Sequence, residues 1–278
     1  MIYSLKTYEK LCKCISQYYK KEQLFNLELN DSSCLPTVFL MLKHDVETNV
    51  GRALKIAKIE SKYGLSSIFY VQAYLLNKKK NIRYLKKIKD LHHVVSYHHD
   101  VMDSNKGDIQ KALLEFESNV EKFNNNGFVF KSVCQHGNPF LDRNGYHSNR
   151  DFFRSAIVTN KYPQMIDIMV NFPEKVTRDY LYISDAGRSW NVVDKPTEND
   201  ILNTCDKPIP NIEVFLKENS NTNSVIISTH PHRYSLNVVF GFFHLLVFKI
   251  IRAIVKLMIK IPFFKRIIKK HYGVAKKF

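Results

Sequence analysis

A chain of 278 residues that is 45% apolar can bury a full hydrophobic core, and its length suits one large α/β domain or two small ones. The formal charge of +16 points at first to nucleic acid. Its distribution argues against that partner: ten lysines and arginines and no acid lie between Leu236 and Phe278, so +10 sits in this tail and only +6 in the rest, which holds no recognisable nucleic-acid module. Five cysteines, Cys12, Cys14, Cys34, Cys134 and Cys205, contain no C-x-x-C pair, which argues against a disulfide framework or a cysteine-ligated zinc and for reduced, structural thiols.

The opening MIYSLKTYEKLCKCISQ scatters lysines through its length without an apolar run or a small-residue cleavage site, so no signal peptide is expected and the chain is placed in the cytoplasm. Residues 1–34 read as a helical lead-in, closed by NDSS before Pro36. TVFLMLKHD is then a buried strand that breaks into polar residues at its end. From Thr48 to Tyr63, Val50, Ala53, Leu54, Ala57 and Ile59 recur at helical spacing, with Thr48 as N-cap and Gly64 as stop. SSIFYVQ is the next strand. A lysine-rich helix with Ile82, Leu85 and Ile88 on one face follows, then the strand HVVSYH and a helix from about Asp108 to Phe123, ended by NNNG. FVFKSVCQHG, YLYISD and SVIISTHP are further strands. Strands alternating with helices predict βαβ units and a mostly parallel sheet, open or closed into a barrel, over residues 35–235.

Five of these strands run into polar clusters at their C-terminal ends, where loops of a parallel sheet converge on one face. In KHDVE, Asp45 and Glu47 are two apart, so both carboxylates project from the same face of an extended chain. One suits a divalent metal and the other a general base. His44 points to the opposite face, as a packing or supporting residue. In SYHHD, His98 and His99 alternate faces, so at most one shares a cavity with Asp45 and Glu47. His92 and His93 begin that strand and belong at the far end of the sheet. QHGNP joins His136 to a shaped turn in which Asn138 offers an amide to a substrate hydroxyl. SDAGRSW brings Asp185, Arg188 and Trp190, a set that serves sugar recognition or, alternatively, a salt bridge beside a core aromatic. THPHR places His230 as a candidate general acid.

In their order, KHDVE, SYHHD, CQHGNP, YISDAGRSW and ISTHPHR resemble the polysaccharide deacetylases, the family that includes the NodB-like chitooligosaccharide deacetylases. More narrowly they look like a branch found among bacterial surface-polysaccharide genes, and the resemblance spans about Val38 to Tyr234. It implies a distorted (β/α) barrel and metal-dependent removal of an N- or O-acetyl group from a sugar. By position, Asp45 takes the place of the base, Glu47 of the metal carboxylate, His98 of the first metal histidine and His230 of the acid. Asp185 and Arg188 orient these groups or the sugar.

Three departures stand out. The family's second metal histidine falls at Met102, a poor zinc ligand. Glu47 stands where aspartate is usual, and His136 replaces the usual arginine of the third motif. His99, Asp100 and His136 are the residues able to complete the metal shell, and the sequence does not select among them. His136 is carried forward with Glu47 and His98 as the expected ligand set for a divalent metal, foremost zinc.

The tail, residues 236–278, mixes strong apolar content with cations. Lys249, Arg252, Lys256 and Lys260 fall at i, i+3, i+7 and i+11, one stripe of a helix, and interrupt any 20-residue apolar window. An amphipathic helix ending near Pro262 is expected, lying on an anionic inner membrane, and the whole chain is expected to be peripheral to that membrane. The expected function is deacetylation of a surface glycan or its lipid-linked precursor. The alternative is a barrel without catalysis that binds glycan or scaffolds a biosynthetic complex.

Overall fold

The computed structural model describes residues 2–30, 35–138, 141, 143–172, 179–193 and 207–258, with backbone only at 252 and 255–258. Its centre is a nine-stranded, mostly parallel sheet. The strands are β1 (Leu40–Val46), β2 (Ile68–Val71), β3 (Val94–His99), β4 (Ser132–Gln135), β5 (Ile166–Asp167), β6 (Tyr180–Ser184), β7 (Asn191–Val192), β8 (Lys207–Pro208) and β9 (Ser224–Thr229), in the spatial order β5-β4-β3-β2-β1-β9-β6-β7-β8. The seven strands from β5 to β6 are parallel, whereas β7 and β8 add as antiparallel neighbours. The described ladder does not close on itself. After β6 the chain turns back into β7 instead of rising in another parallel strand, so β5 and β8 stand as the two ends.

The helices with an apolar face supply the cover. They include α1 (Leu5–Tyr18), α2 (Val50–Lys62), α3 (Lys79–Asp90), the short α4 (Val101–Ser104) and α5 (Ile109–Asn125). Further along come α6 (Asp151–Arg154), α7 (Ala156–Lys161), α8 (Ile212–Asn219) and α9 (Val238–Met258). Side chains alternate across each strand. Leu40, Leu42, Phe69, Val95 and Ile227 meet the helical cover in the main core, which includes Tyr8, Leu11 and Ile15 of α1. Phe39, Met41, Ile68, Tyr70 and Ile226 point the other way, into a second cluster with Phe25, Leu27 and Phe172. The lead-in helix thus shares the core of the sheet.

The six strands expected from the sequence fall where predicted. The two-residue strands β5, β7 and β8 and the helices α6, α7 and α8 were not foreseen, because segments so short carry too few apolar repeats to set a period. The cap of α2 is a correction: Asn49, not Thr48, caps it. Asn49 has φ of 36°, a left-handed backbone that Asn tolerates, and its side chain accepts from Arg52 N at 3.1 Å. Gly64 ends the helix with φ of 68°, as expected. Cys12, Cys14 and Cys134 are buried free thiols; Cys34 and Cys205 lie outside the described residues. The tail is helical through Met258, and the expected stop at Pro262 lies outside the described residues. Among the described residues, no helix is long and apolar enough to cross a membrane.

Candidate metal centre

Strand parity decides what gathers at the carboxyl end of the sheet. On β1, Lys43 and Asp45 share a face, and β1 pairs with β2 and β9 in registers that put Tyr70 and Ser228 beside them. On β3, His98 takes the same face. Its Nδ1–H donates to the carbonyl of Cys134 on β4 at 3.0 Å, which fixes the tautomer and leaves Nε2 as the lone-pair donor. Two residues past Cys134, His136 presents its ring to that of His98 edge-on, with centroids 5.2 Å apart. Glu47 follows β1 directly. Its backbone carbonyl accepts from the Tyr74 hydroxyl, and its Oε1 is 3.3 Å from His136 Nε2.

Among the described residues, two overlapping sets of donors can therefore hold a metal ion: Glu47, His98 and His136, and Asp45, His98 and Cys134. Within each set the ligand atoms lie within 4.8 Å of one another. Lys43 separates the two. Its ammonium, wholly buried, sits 2.7 and 2.9 Å from the two Asp45 oxygens and 3.2 Å from Cys134 Sγ, so two members of the second set already face a fixed cation. Glu47, His98 and His136 form the set that fits an added ion. Two imidazoles with one carboxylate suit zinc, cobalt, manganese or iron. Burial pushes His98 down to about 3, so its ring is neutral. Burial opposes ionisation of Glu47, but the His136 hydrogen bond and the nearby His230 more than offset it and hold the carboxyl below its usual range.

Asp45 is the neighbour of that set. Burial raises its pKa, yet Lys43, His98 and His230 together bring it below the ordinary carboxylate range, and Ser228 Oγ donates to its Oδ2 at 3.2 Å. Lys43 moves the opposite way: burial lowers it, and Asp45 and Cys134 raise it well above 10.5. The pair is ionised on both sides.

Across the site, His230 follows β9. Its backbone N–H donates to Asp185 Oδ2 at 3.1 Å and its Nδ1–H to Asp185 Oδ1 at 2.6 Å, which turns Nε2 towards Asp45 Oδ2 and Glu47 Oε1, each 3.9 Å away. Asp185 is fully buried and is held in turn by Arg233, whose Nη1 is 3.2 Å from Oδ1 and 2.5 Å from the Asp185 carbonyl oxygen.

The structure brings six of the nine expected residues together: Asp45, Glu47, His98, His136, Asp185 and His230. Asn138 lies two residues beyond His136, half-buried, its Oδ1 enclosed with no hydrogen-bond partner among the described residues. Two expectations need correction. Trp190 is a core residue, 4% exposed and packed on Tyr3. Arg188 lies over the ring of Phe248 on α9, at 5.4 Å, and the guanidinium that holds Asp185 belongs to Arg233.

Of the three residues able to complete the metal shell, His136 reaches the donor set. His99 points to the other face, where its Nε2 meets Asp167 Oδ2 at 2.8 Å, and Asp100 stands at the N-cap position of α4 without a side-chain capping bond. Met102 is buried in the main core. Lys43 and Arg233 were missed. Lys43 carried a signal, a lysine inside an apolar strand two residues before Asp45 and therefore on its face. No protein-family model, curated protein or solved structure matches the chain.

Proposed function

We propose that the protein is a metal-dependent hydrolase that removes an acetyl group from a sugar of a bacterial surface polysaccharide or of its lipid-linked precursor. The observation that carries this reading is the convergence of Glu47, His98 and His136 between Asp45 and His230. The architecture that goes with it is the distorted (β/α) barrel of the polysaccharide deacetylases, its strands corresponding to the seven parallel ones. A divalent cation on those donors, foremost zinc, would polarise the acetyl carbonyl and acidify water.

The chain's own residues do the rest. Asp45, kept ionised by Lys43, takes a proton from water, and Lys43 also fixes the direction of its oxygens. His230, its Nδ1–H held by Asp185 and Asp185 in turn held by Arg233, gives a proton to the leaving amine or hydroxyl. Asn138 offers its open acceptor to a sugar hydroxyl.

One observation favours the second reading, a barrel that binds glycan without catalysis: a carboxylate neutralised as closely as Asp45 is a weak base. Metal content by mass spectrometry, after dialysis against metal-free buffer, tests the site first. Wild-type protein is expected to hold near-stoichiometric metal that His98→Ala and His136→Ala both lose, and to release acetate from an acetylated glycan. Bound metal without acetate release favours the second reading. A wild-type protein that takes up no metal on reconstitution overturns the centre itself.

A further inference from the structure

The tail helix α9 presents the most concentrated exposed apolar surface of the described residues. Ten large apolar side chains between Val238 and Ile254 stand 38% to 64% exposed, among them Phe240 (55%), Phe243 (55%), Val247 (51%) and Ile250 (51%). Soluble proteins rarely leave so large a continuous patch to water, so the face has an occupant.

The helix is also oriented. Its root docks on the body through Gly241, Leu245 and Phe248, at i, i+4 and i+7, which are less exposed than their neighbours. At Gly241 the approach is so close that an added Cβ would lie 2.6 Å from Ile2 and 3.0 Å from the Tyr3 carbonyl, which is why glycine stands there. Ser235 Oγ is hydrogen-bonded to His244 Nδ1 at 2.9 Å, and Arg188 stacks on Phe248. Continuing along that docked side, Lys249 is exposed, and the sequence sets Arg252 and Lys256 at i+3 and i+7 from it. At 100° per residue, Phe243, Leu246, Val247, Ile250 and Ile254 fall within about one third of a turn on the far side. One side of the helix thus carries the body and Lys249, and the other is apolar.

We infer that α9 is a docking helix for an anionic phospholipid bilayer, its apolar side in the acyl boundary and its cations at the phosphates. Charge decides between this and a second copy of the chain. The segment from Leu236 to Phe278 carries ten basic residues and no acid, which repels its own copy and complements lipid phosphate. The inference stands whether or not the site removes an acetyl group. Its consequence is positional: Phe248 touches Arg188, three residues along the chain from the Asp185 that holds His230.

Flotation of the full-length protein with vesicles tests it, using phosphatidylcholine alone and mixed with phosphatidylglycerol. Wild type is expected to float with the mixed vesicles and far less with the neutral ones, and salt is expected to weaken that binding. Lys249→Ala should weaken binding to the mixed vesicles about fivefold, the effect of one cation at the surface. Phe243→Ala with Ile250→Ala should weaken it roughly tenfold or more. Both positions are solvent-exposed, so the body stays folded, which a thermal melt verifies. Three results overturn the inference: no flotation with mixed vesicles; a lipid-free dimer that the double variant dissociates, which assigns the face to a second copy; or binding that survives carbonate extraction, which assigns a spanning helix.

Discussion

Two clusters of histidines and carboxylates are buried on opposite faces of one sheet, one residue apart along β1. His44 leads into the first and Asp45 into the second. In the first, every polar atom has its partner. His44 meets Thr229 Oγ1 at 2.6 Å and Glu60 Oε1 at 2.9 Å; Glu60 also accepts from the Tyr8 hydroxyl at 2.5 Å and from Ser67 Oγ at 2.7 Å. His93 accepts from Ser67 N at 3.1 Å and donates to the Ala57 carbonyl at 3.0 Å. In the second, His98 and His230 each spend one ring nitrogen on a protein partner and turn the other towards a shared space. Identical residue types thus form a closed network that fastens α1 and α2 to the sheet, and an open one with the means for chemistry. What separates them is satisfaction of hydrogen bonds, not composition.

The strongest way to break this comparison is by function. Asp45→Asn and His230→Ala are each expected to lower acetate release roughly 10²- to 10⁴-fold, the usual scale for a proton-transfer group; Asp45→Asn also leaves the buried Lys43 ammonium without its counter-charge and should lower the melting temperature as well. His44→Ala should lower the melting temperature and spare acetate release. If His44→Ala abolishes acetate release while the fold stays intact, the assignment of faces is wrong.

The closed network should carry stability instead. Glu60→Ala strands His44 and Ser67 without their partner and is expected to cost roughly 3–5 kcal/mol. That is a fall in melting temperature of roughly 10 °C, with metal content unchanged. Acidification reads the same network. Burial opposes ionisation of Glu60, but His44, His93 and Tyr8 bring its pKa down from 4.5 to about 2. A folded-state value below the unfolded one gives stability that is present above pH 4.5 and lost as pH falls towards 2, about 3 kcal/mol in all. His93 is also depressed, by burial, so it adds a loss of the same sign below its usual value of 6.5. Denaturant unfolding from pH 6.5 to pH 3 measures this, and Glu60→Gln should flatten the part of the slope below pH 4.5.

Much of this was legible in the sequence because strand parity is local. Two-residue spacing put Asp45 with Glu47 and split His98 from His99, and the structure keeps both relations. The parallel order was readable for the same reason, since apolar runs alternated with helical periods. What was not legible depends on contacts distant in sequence. Arg188 and Arg233 are equally plausible partners for Asp185 from spacing alone, and the turn after His230 chose Arg233. Trp190 stood between a sugar platform and a core aromatic until Tyr3, 187 residues earlier, packed on it. His136 could be picked over His99 and Asp100 once β3 and β4 were paired, with His98 opposite Cys134.

The finest test of the comparison lies in two neighbours on β9. Ser228 Oγ donates to Asp45 on the open side and Thr229 Oγ1 pairs with His44 on the closed side. Both are buried, so Ser228→Ala and Thr229→Val each remove one hydroxyl without exposing the chain. Thr229→Val leaves His44 Nδ1 without a partner, which should cost about 1–2 kcal/mol and a few degrees of melting temperature, with acetate release unchanged. Ser228→Ala leaves Asp45 still gripped through both oxygens by Lys43, so its fold should melt nearly as wild type. The aim of the carboxylate then rests on Lys43 alone, and acetate release should fall a few-fold. Side-by-side melts and acetate assays decide the matter. A turnover defect in Thr229→Val with none in Ser228→Ala would mean that the chemistry faces α2, and the open cluster would lose its claim to the reaction.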